Sequence, residues 1–146
     1  MPLASYDVII AAGYDRTSSA LAESTGQPIK GLIPIHGRPM ICHVVDAFVA
    51  SGYLRRLVLV GVNREQIPLA DVDVEVFYVP NQTNAVENVT AGLDVLQSAE
   101  PVLLSGSDIP LLPPQAVRDL VEQCEALDPD LGYPIVSREV MEARFP

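Results

Sequence analysis

The chain has 146 residues, 49% of them apolar, with no stretch near the ~18 uninterrupted apolar residues of a membrane span and no basic leader, so it reads as one cytoplasmic domain around a single core. Nine basic residues against 19 acidic ones leave a net charge of −10, which disfavours nucleic acid as a partner but leaves room for a small anion held by a metal ion and local cations. Lys30 is the only lysine, and the two cysteines, Cys42 and Cys124, match neither a disulfide framework nor a metal-binding spacing.

Residues 8–12 form a short continuous apolar run, the pattern of a strand covered on both faces. The run breaks at Gly13 into the polar loop "GYDRTSSA", the way a buried strand hands its chain to a nucleotide phosphate. This loop has one glycine and no G-x-G-x-x-G, which argues against a dinucleotide site. Gly37 and Pro39 then introduce a helix whose apolar positions Ile41, Val44, Val45, Phe48 and Val49 repeat at helical spacing until Gly52 ends it. Residues 57–62 are a second buried strand, completing a right-handed βαβ unit. Residues 72–79 alternate, with Asp73 and Glu75 between Val74 and Val76, so this strand belongs at an edge.

A third helix opens at Asn84, with Glu87 three residues on as an approximate capping box and with Val86, Val89, Leu93 and Leu96 expected on its inner stripe. Residues 102–104 are the fourth strand. Pro113 and Pro114 start a further helix, with Val117, Leu120, Val121, Cys124 and Leu127 facing inward, and both cysteines read as buried free thiols. A short run at 133–136 and a helical stretch, "SREVMEARFP", follow. The alternation predicts an α/β fold: an open, mostly parallel sheet of order 3-2-1-4 with helices on both faces.

Ligands of such sheets sit beyond the carboxyl ends of the strands at the switch point, which selects the loops after Ala12 and after Leu104. The second reads "SGSDIPLL". Asp108 there is either a carboxylate that coordinates Mg²⁺ bridging ligand phosphates or a turn aspartate capping local amides. Lys30 and Arg16 each have two readings as well, a solvated surface charge or a phosphate contact. His36 and His43 lack a partner at metal spacing and read as surface residues of a loop and a helix. The serines of "SGSDI" do not stand in a nucleophile elbow.

Four segments, "VIIAAG", "KGLIPIHGRPMICHVVDAFVASG", "LVLVGVN" and "PVLLSGSDIPLLPP", resemble in order and spacing the nucleotidyltransferase superfamily, in particular its molybdenum-cofactor guanylyltransferase-like (MobA-like NTP transferase) proteins. The resemblance implies a Rossmann-like sheet and a reaction in which a nucleoside triphosphate gives its nucleotidyl group to a small phosphorylated acceptor, releasing pyrophosphate. It implies further that the backbone of Ala11, Ala12 and Gly13 approaches the nucleotide, that Lys30 neutralises phosphate, that Asp108 holds Mg²⁺ and that Asn63 contacts the base.

The first loop departs from the family pattern, which continues with a second glycine and a basic residue. Here Tyr14 adds bulk, Asp15 sets like charge against phosphate, and Arg16 is the cation that a rearranged loop brings to the ligand. Relatives also continue past this length. The expectation is therefore a nucleotidyltransferase-like α/β domain over residues 1–146, incomplete at its C-terminal end, with no membrane partner and with an exposed sheet edge suited to homo-oligomer assembly. The alternative is a non-catalytic descendant that keeps the fold to bind a nucleotide or a protein. A flavodoxin-like or receiver-like domain ranks last, because Asp15 alone is no acidic cluster.

Overall fold

The computed structural model describes residues 5–13, 20–69 and 72–144. In chain order they form β1 (Tyr6–Ala11), α1 (Ala20–Thr25), a 3-10 turn (Lys30–Leu32), the short strands β2 (Pro34–Ile35) and β3 (Arg38–Pro39), and α2 (Met40–Ser51). There follow β4 (Leu54–Val60), β5 (Glu75–Val79), α3 (Ala85–Leu96), β6 (Val102–Gly106), α4 (Pro114–Leu127) and α5 (Arg138–Arg144).

The four long strands build one sheet in the order β5-β4-β1-β6, parallel throughout, which is the expected 3-2-1-4 arrangement. Its two central strands are apolar on both faces because both faces are covered. Val8, Ile10, Leu57 and Leu59 pack with Ile41, Val44, Val45 and Phe48 of α2 and Val117 of α4, while Ile9, Val58 and Val60 meet Leu96 of α3 on the other side. β5 is an edge strand as expected, although it starts at Glu75 rather than at position 72. β6 forms the opposite edge, and its Leu104, paired beside Ile9, remains 54% exposed.

The amino-terminal end of the sheet carries a charged knot. Tyr6 pairs with Leu54 but Asp7 pairs with Arg56, so Arg55 is an extra residue and β4 bulges there. The bulge lets two consecutive arginines reach one carboxylate. Arg55 grips Asp7 at 2.9 and 3.0 Å and Arg56 at 2.9 and 2.5 Å, while the Asp7 side chain is wholly buried. The bonds from Arg56, followed by those from Arg55, outweigh burial and hold the Asp7 pKa down to about 2.

The helix boundaries follow their caps. Asn84 Oδ1 accepts from the Glu87 amide at 3.0 Å and Glu87 Oε2 accepts from the Thr83 amide at 3.2 Å, a reciprocal capping pair. Gly52 closes α2 in the left-handed region. Two stripes differ from expectation. The buried line of α3 is Asn88, Gly92 and Leu96; Val89 is half-buried, and Val86 and Leu93 are 75% and 41% exposed. The cause is Gly92, which lies directly on Ile9, so the helix turns its smallest residue to the sheet for close approach.

In α4, Val117 and Val121 are buried and Leu120 and Cys124 half-buried, but Leu127 is 77% exposed in the last turn, where the chain leaves the helix through Asp128 at positive φ. Cys42 is a buried thiol as read, whereas Cys124 is half-buried. No helix among the described residues is long and apolar enough to cross a membrane.

Candidate functional site

The carboxyl ends of three strands stop level with one another. Ala11 pairs with Val60 on one side and Gly106 on the other, so the loops that begin at Ala12, Gly61 and Ser107 leave the sheet side by side. Two bonds extend the ladder one step into these loops, from the Ala12 amide to the Val60 carbonyl at 2.7 Å and from the Gly61 amide to the Val79 carbonyl at 2.9 Å.

The loops also touch. Gly61 has φ +91°, and a Cβ there would lie 2.9 Å from both the Ala12 carbonyl carbon and the Gly13 nitrogen, so its backbone presses directly on the first loop. A Cβ on Gly31 would lie 2.7 Å from Ser107 Oγ and 3.5 Å from Ala12 Cβ, with Ser107 only 5% exposed. Lys30 precedes Gly31 and Asp108 follows Ser107. The fold therefore brings together Ala12, Gly13, Gly31, Gly61 and Ser107, and so sets Lys30 and Asp108 each one residue from that meeting point.

The turn that carries Lys30 is held from behind. Its exit is tied to α2 by a bond from the Met40 amide to the Ile33 carbonyl at 2.9 Å. β2 and β3 then form a hairpin closed by His36 and Gly37, both at positive φ. Arg38 anchors that hairpin to Asp46 of α2 at 2.7 Å. His43 is half-buried with its Nε2 3.1 Å from the Ile35 carbonyl, so it is a hairpin clasp rather than a surface residue, whereas His36 is exposed.

Lys30 and Asp108 are exposed, and among the described residues neither forms an ion pair. No group of three or more His, Cys, Asp or Glu side chains among the described residues could hold a metal ion. Asn63 stands beyond β4, but its Oδ1 accepts from the Glu65 and Gln66 amides at 3.0 and 3.1 Å and thereby folds its own turn. Arg16, with Tyr14 and Asp15, lies outside the described residues.

Other members of the site were not singled out from the sequence. Gly31, Gly61 and Ser107 make the loop contacts, and Asn81 and Asn88 lie against Gly13. The available signal was Asn88 itself, a polar residue four positions before Gly92 and eight before Leu96 on one helical line. A separate concavity beside β5, lined by Arg64, Ile67, Val74, Val76 and Tyr78, is mostly apolar, with the Arg64 guanidinium 5.7 Å from the centre of the Tyr78 ring.

The family model for the MobA-like NTP transferase domain matches residues 8–143. The bifunctional protein GlmU of Burkholderia orbicola is 31% identical over 144 residues, covering 90% of this chain and 30% of that protein. GlmU of Rhizorhabdus wittichii is 32% identical over 102 residues, covering 68% and 23%. The chain thus spans between 23% and 30% of the length of these relatives. Among solved structures, Rv0371c of Mycobacterium tuberculosis, also solved with manganese, superposes with a TM-score of 0.59 at 18% identity over 84% of this chain and 62% of that one.

A CMP:2-keto-3-deoxy-manno-octonic acid synthetase complexed with CTP has a TM-score of 0.59 at 19% identity over 88% of this chain and 49% of its own. These neighbours share the fold of this chain. With the family model matched from the first strand through the last helix, the chain belongs to the MobA-like NTP transferase domain family.

Proposed function

We propose that the mouth formed by Ala12, Gly13, Lys30 and Asp108 binds a nucleoside triphosphate with Mg²⁺ and transfers its nucleotidyl group to a small phosphorylated acceptor. The observation that carries this reading is the convergence of three loops, one bringing the exposed backbone of Gly13, one a lysine and one a carboxylate, at the switch point of a parallel sheet. In the transfer, an acceptor phosphate oxygen forms a bond to the α-phosphorus while the bond from that phosphorus to the α,β-bridging oxygen breaks, and pyrophosphate leaves with the electron pair. No protein nucleophile is required, so positioning and charge neutralisation suffice.

Each residue then has a defined task. The backbone of Ala11, Ala12 and Gly13 approaches the polyphosphate, and Lys30 sets a point charge against it, with Arg16 as a further cation. The exposed carboxylate of Asp108 suits Mg²⁺, a hard ion that usually takes one or two carboxylates together with phosphate oxygens and water. An ion held there would supply positive charge against the leaving pyrophosphate. Asn63, in the turn beyond β4, is assigned the contact to the base.

Calorimetric titration of the chain with each nucleoside triphosphate, with and without Mg²⁺, tests the reading. The expected result is metal-dependent binding that Lys30→Ala and Asp108→Ala each weaken by about tenfold or more, the size of a lost charge-assisted contact. Absence of metal-dependent binding, or affinity unchanged in both variants, overturns it.

A further inference from the structure

Asn88 is 5% exposed in the first turn of α3, on the buried line that continues through Gly92 and Leu96. Its carboxamide is committed on both sides. Oδ1 accepts from the Gln82 amide at 2.7 Å, which fixes the orientation of the group, and Nδ2 consequently faces Asn81 Oδ1 at 3.3 Å. Asn81 in turn donates through Nδ2 to the Gln82 carbonyl at 2.9 Å.

Against this pair of amides lies the exposed backbone of Gly13. A Cβ at position 13 would come within 2.6 Å of Asn81 Oδ1 and closer still to Asn88 Nδ2, so the loop rests on the two side chains with nothing between. Gly61 presses on the Gly13 nitrogen from a second direction. Gly13 is therefore gripped between one backbone and two amides.

We propose that Asn88, supported by Asn81, is a positioning residue for nucleotide binding: it holds the Gly13 amide in place from beneath and acts through Gly13 without touching the ligand. The inference rests on the nucleotidyl-transfer reading of the mouth. A purely local role, satisfying the Gln82 amide at the head of α3, needs only Oδ1. Asn88→Asp separates the two roles, because it keeps that acceptor but turns an oxygen toward Asn81 Oδ1 and Gly13.

The test uses the 146-residue chain and four variants, Asn88→Asp, Asn88→Ala, Gly13→Ala and the double variant Gly13→Ala with Asn88→Ala. Backbone ¹⁵N relaxation of the free protein is expected to show Gly13 near the rigid order parameter of about 0.85 in the wild type and below about 0.6 in both Asn88 variants. Mg²⁺-nucleoside triphosphate affinity is expected to fall about tenfold in each Asn88 variant, and Gly13→Ala is expected to do less harm once Asn88 is removed.

A Gly13 already in the flexible range in the wild type, an unchanged order parameter in Asn88→Asp, or strictly additive effects in the double variant overturns the proposal. If Asn88 variants fail to fold, Asn81→Ala, at a half-buried site, probes the same grip by the same relaxation measurement. A wild-type chain that binds no Mg²⁺-nucleotide overturns the transfer reading, while relaxation and the melting temperatures of the cycle still decide whether Asn88 holds the loop.

Discussion

Replacing Asp7 by Asn removes one charge and almost no volume. The side chain is wholly buried and accepts four bonds from Arg55 and Arg56, so the new amide would turn an NH₂ toward guanidinium donors. The pKa of Asp7, about 2 against an ordinary 3.8, corresponds to about 2 kcal/mol favouring the charged form, at 1.36 kcal/mol per unit. Breaking a buried pair usually costs about 3–5 kcal/mol, but here the arginine side chains are 37% and 29% exposed and can turn to water. The expected loss is about 2–4 kcal/mol out of a total stability of about 5–15 kcal/mol.

Urea unfolding at neutral pH, followed by far-UV circular dichroism because the chain has no tryptophan, should show it. With a slope of about 2 kcal/mol/M the midpoint falls by roughly 1–2 M. The pH arm is independent. A carboxylate whose folded pKa is depressed contributes fully above its ordinary value of 3.8 and loses that contribution as pH falls toward about 2, so the wild type should lose about 2 kcal/mol in that window and Asp7→Asn should not. A cost below about 0.5 kcal/mol, or parallel pH curves for the two proteins, refutes the reasoning.

Three further outcomes are expected. Asn84→Ala deletes the α3 cap, whose Oδ1 accepts from the Glu87 amide at 3.0 Å, and should lower stability by about 1 kcal/mol in chemical denaturation. Gly61→Ala forces a side chain at φ +91° into the Ala12–Gly13 backbone and should cost about 1–3 kcal/mol while disturbing the first loop, which the amide chemical shifts of Ala12 and Gly13 would report. Tyr6, raised to about 12 by burial and by its 2.8 Å bond to Glu125, should titrate last in ultraviolet absorbance, and Tyr6→Phe should remove that phase. Because the phenol is held neutral, its contribution is complete below the ordinary value of 10.0 and fades as pH rises through about 12.

The central strands were legible because residues covered on both faces read as unbroken apolar runs, and β5 as an edge because the charges at and just before its start, Glu75 and Asp73, break the run there. Asn84 with Glu87, and Gly52, marked helix ends through bonds that involve only near neighbours. The inner face of α3 was not legible in the same way. Counting apolar side chains selects the Val86–Leu93 line, whereas the packing distance is decided by Gly92, which has no side chain to count. In the site, Lys30 and Asp108 could be named from their surroundings in sequence, but the placing of their loops beside Ala12 depends on the register of three strands and on contacts by Gly31 and Ser107. Asn88 escaped notice because a buried amide inside a helix looks like any surface asparagine until the facing loop is known.

The bulge at Arg55 works as a zero mark for measuring along the sheet. From Asp7 to Gly13 the chain advances six residues, roughly 20 Å at ~3.3 Å per residue, and Asp7 accepts arginines from one alignment of β4 only. Sliding β4 by a single residue would shift Gly61 by about that per-residue step and turn every neighbouring side chain to the wrong face. The height at which Gly61 meets Gly13, and with it the shape of the mouth, is thus calibrated by a carboxylate at the opposite end of the molecule. Substitutions there can reshape the mouth without approaching it.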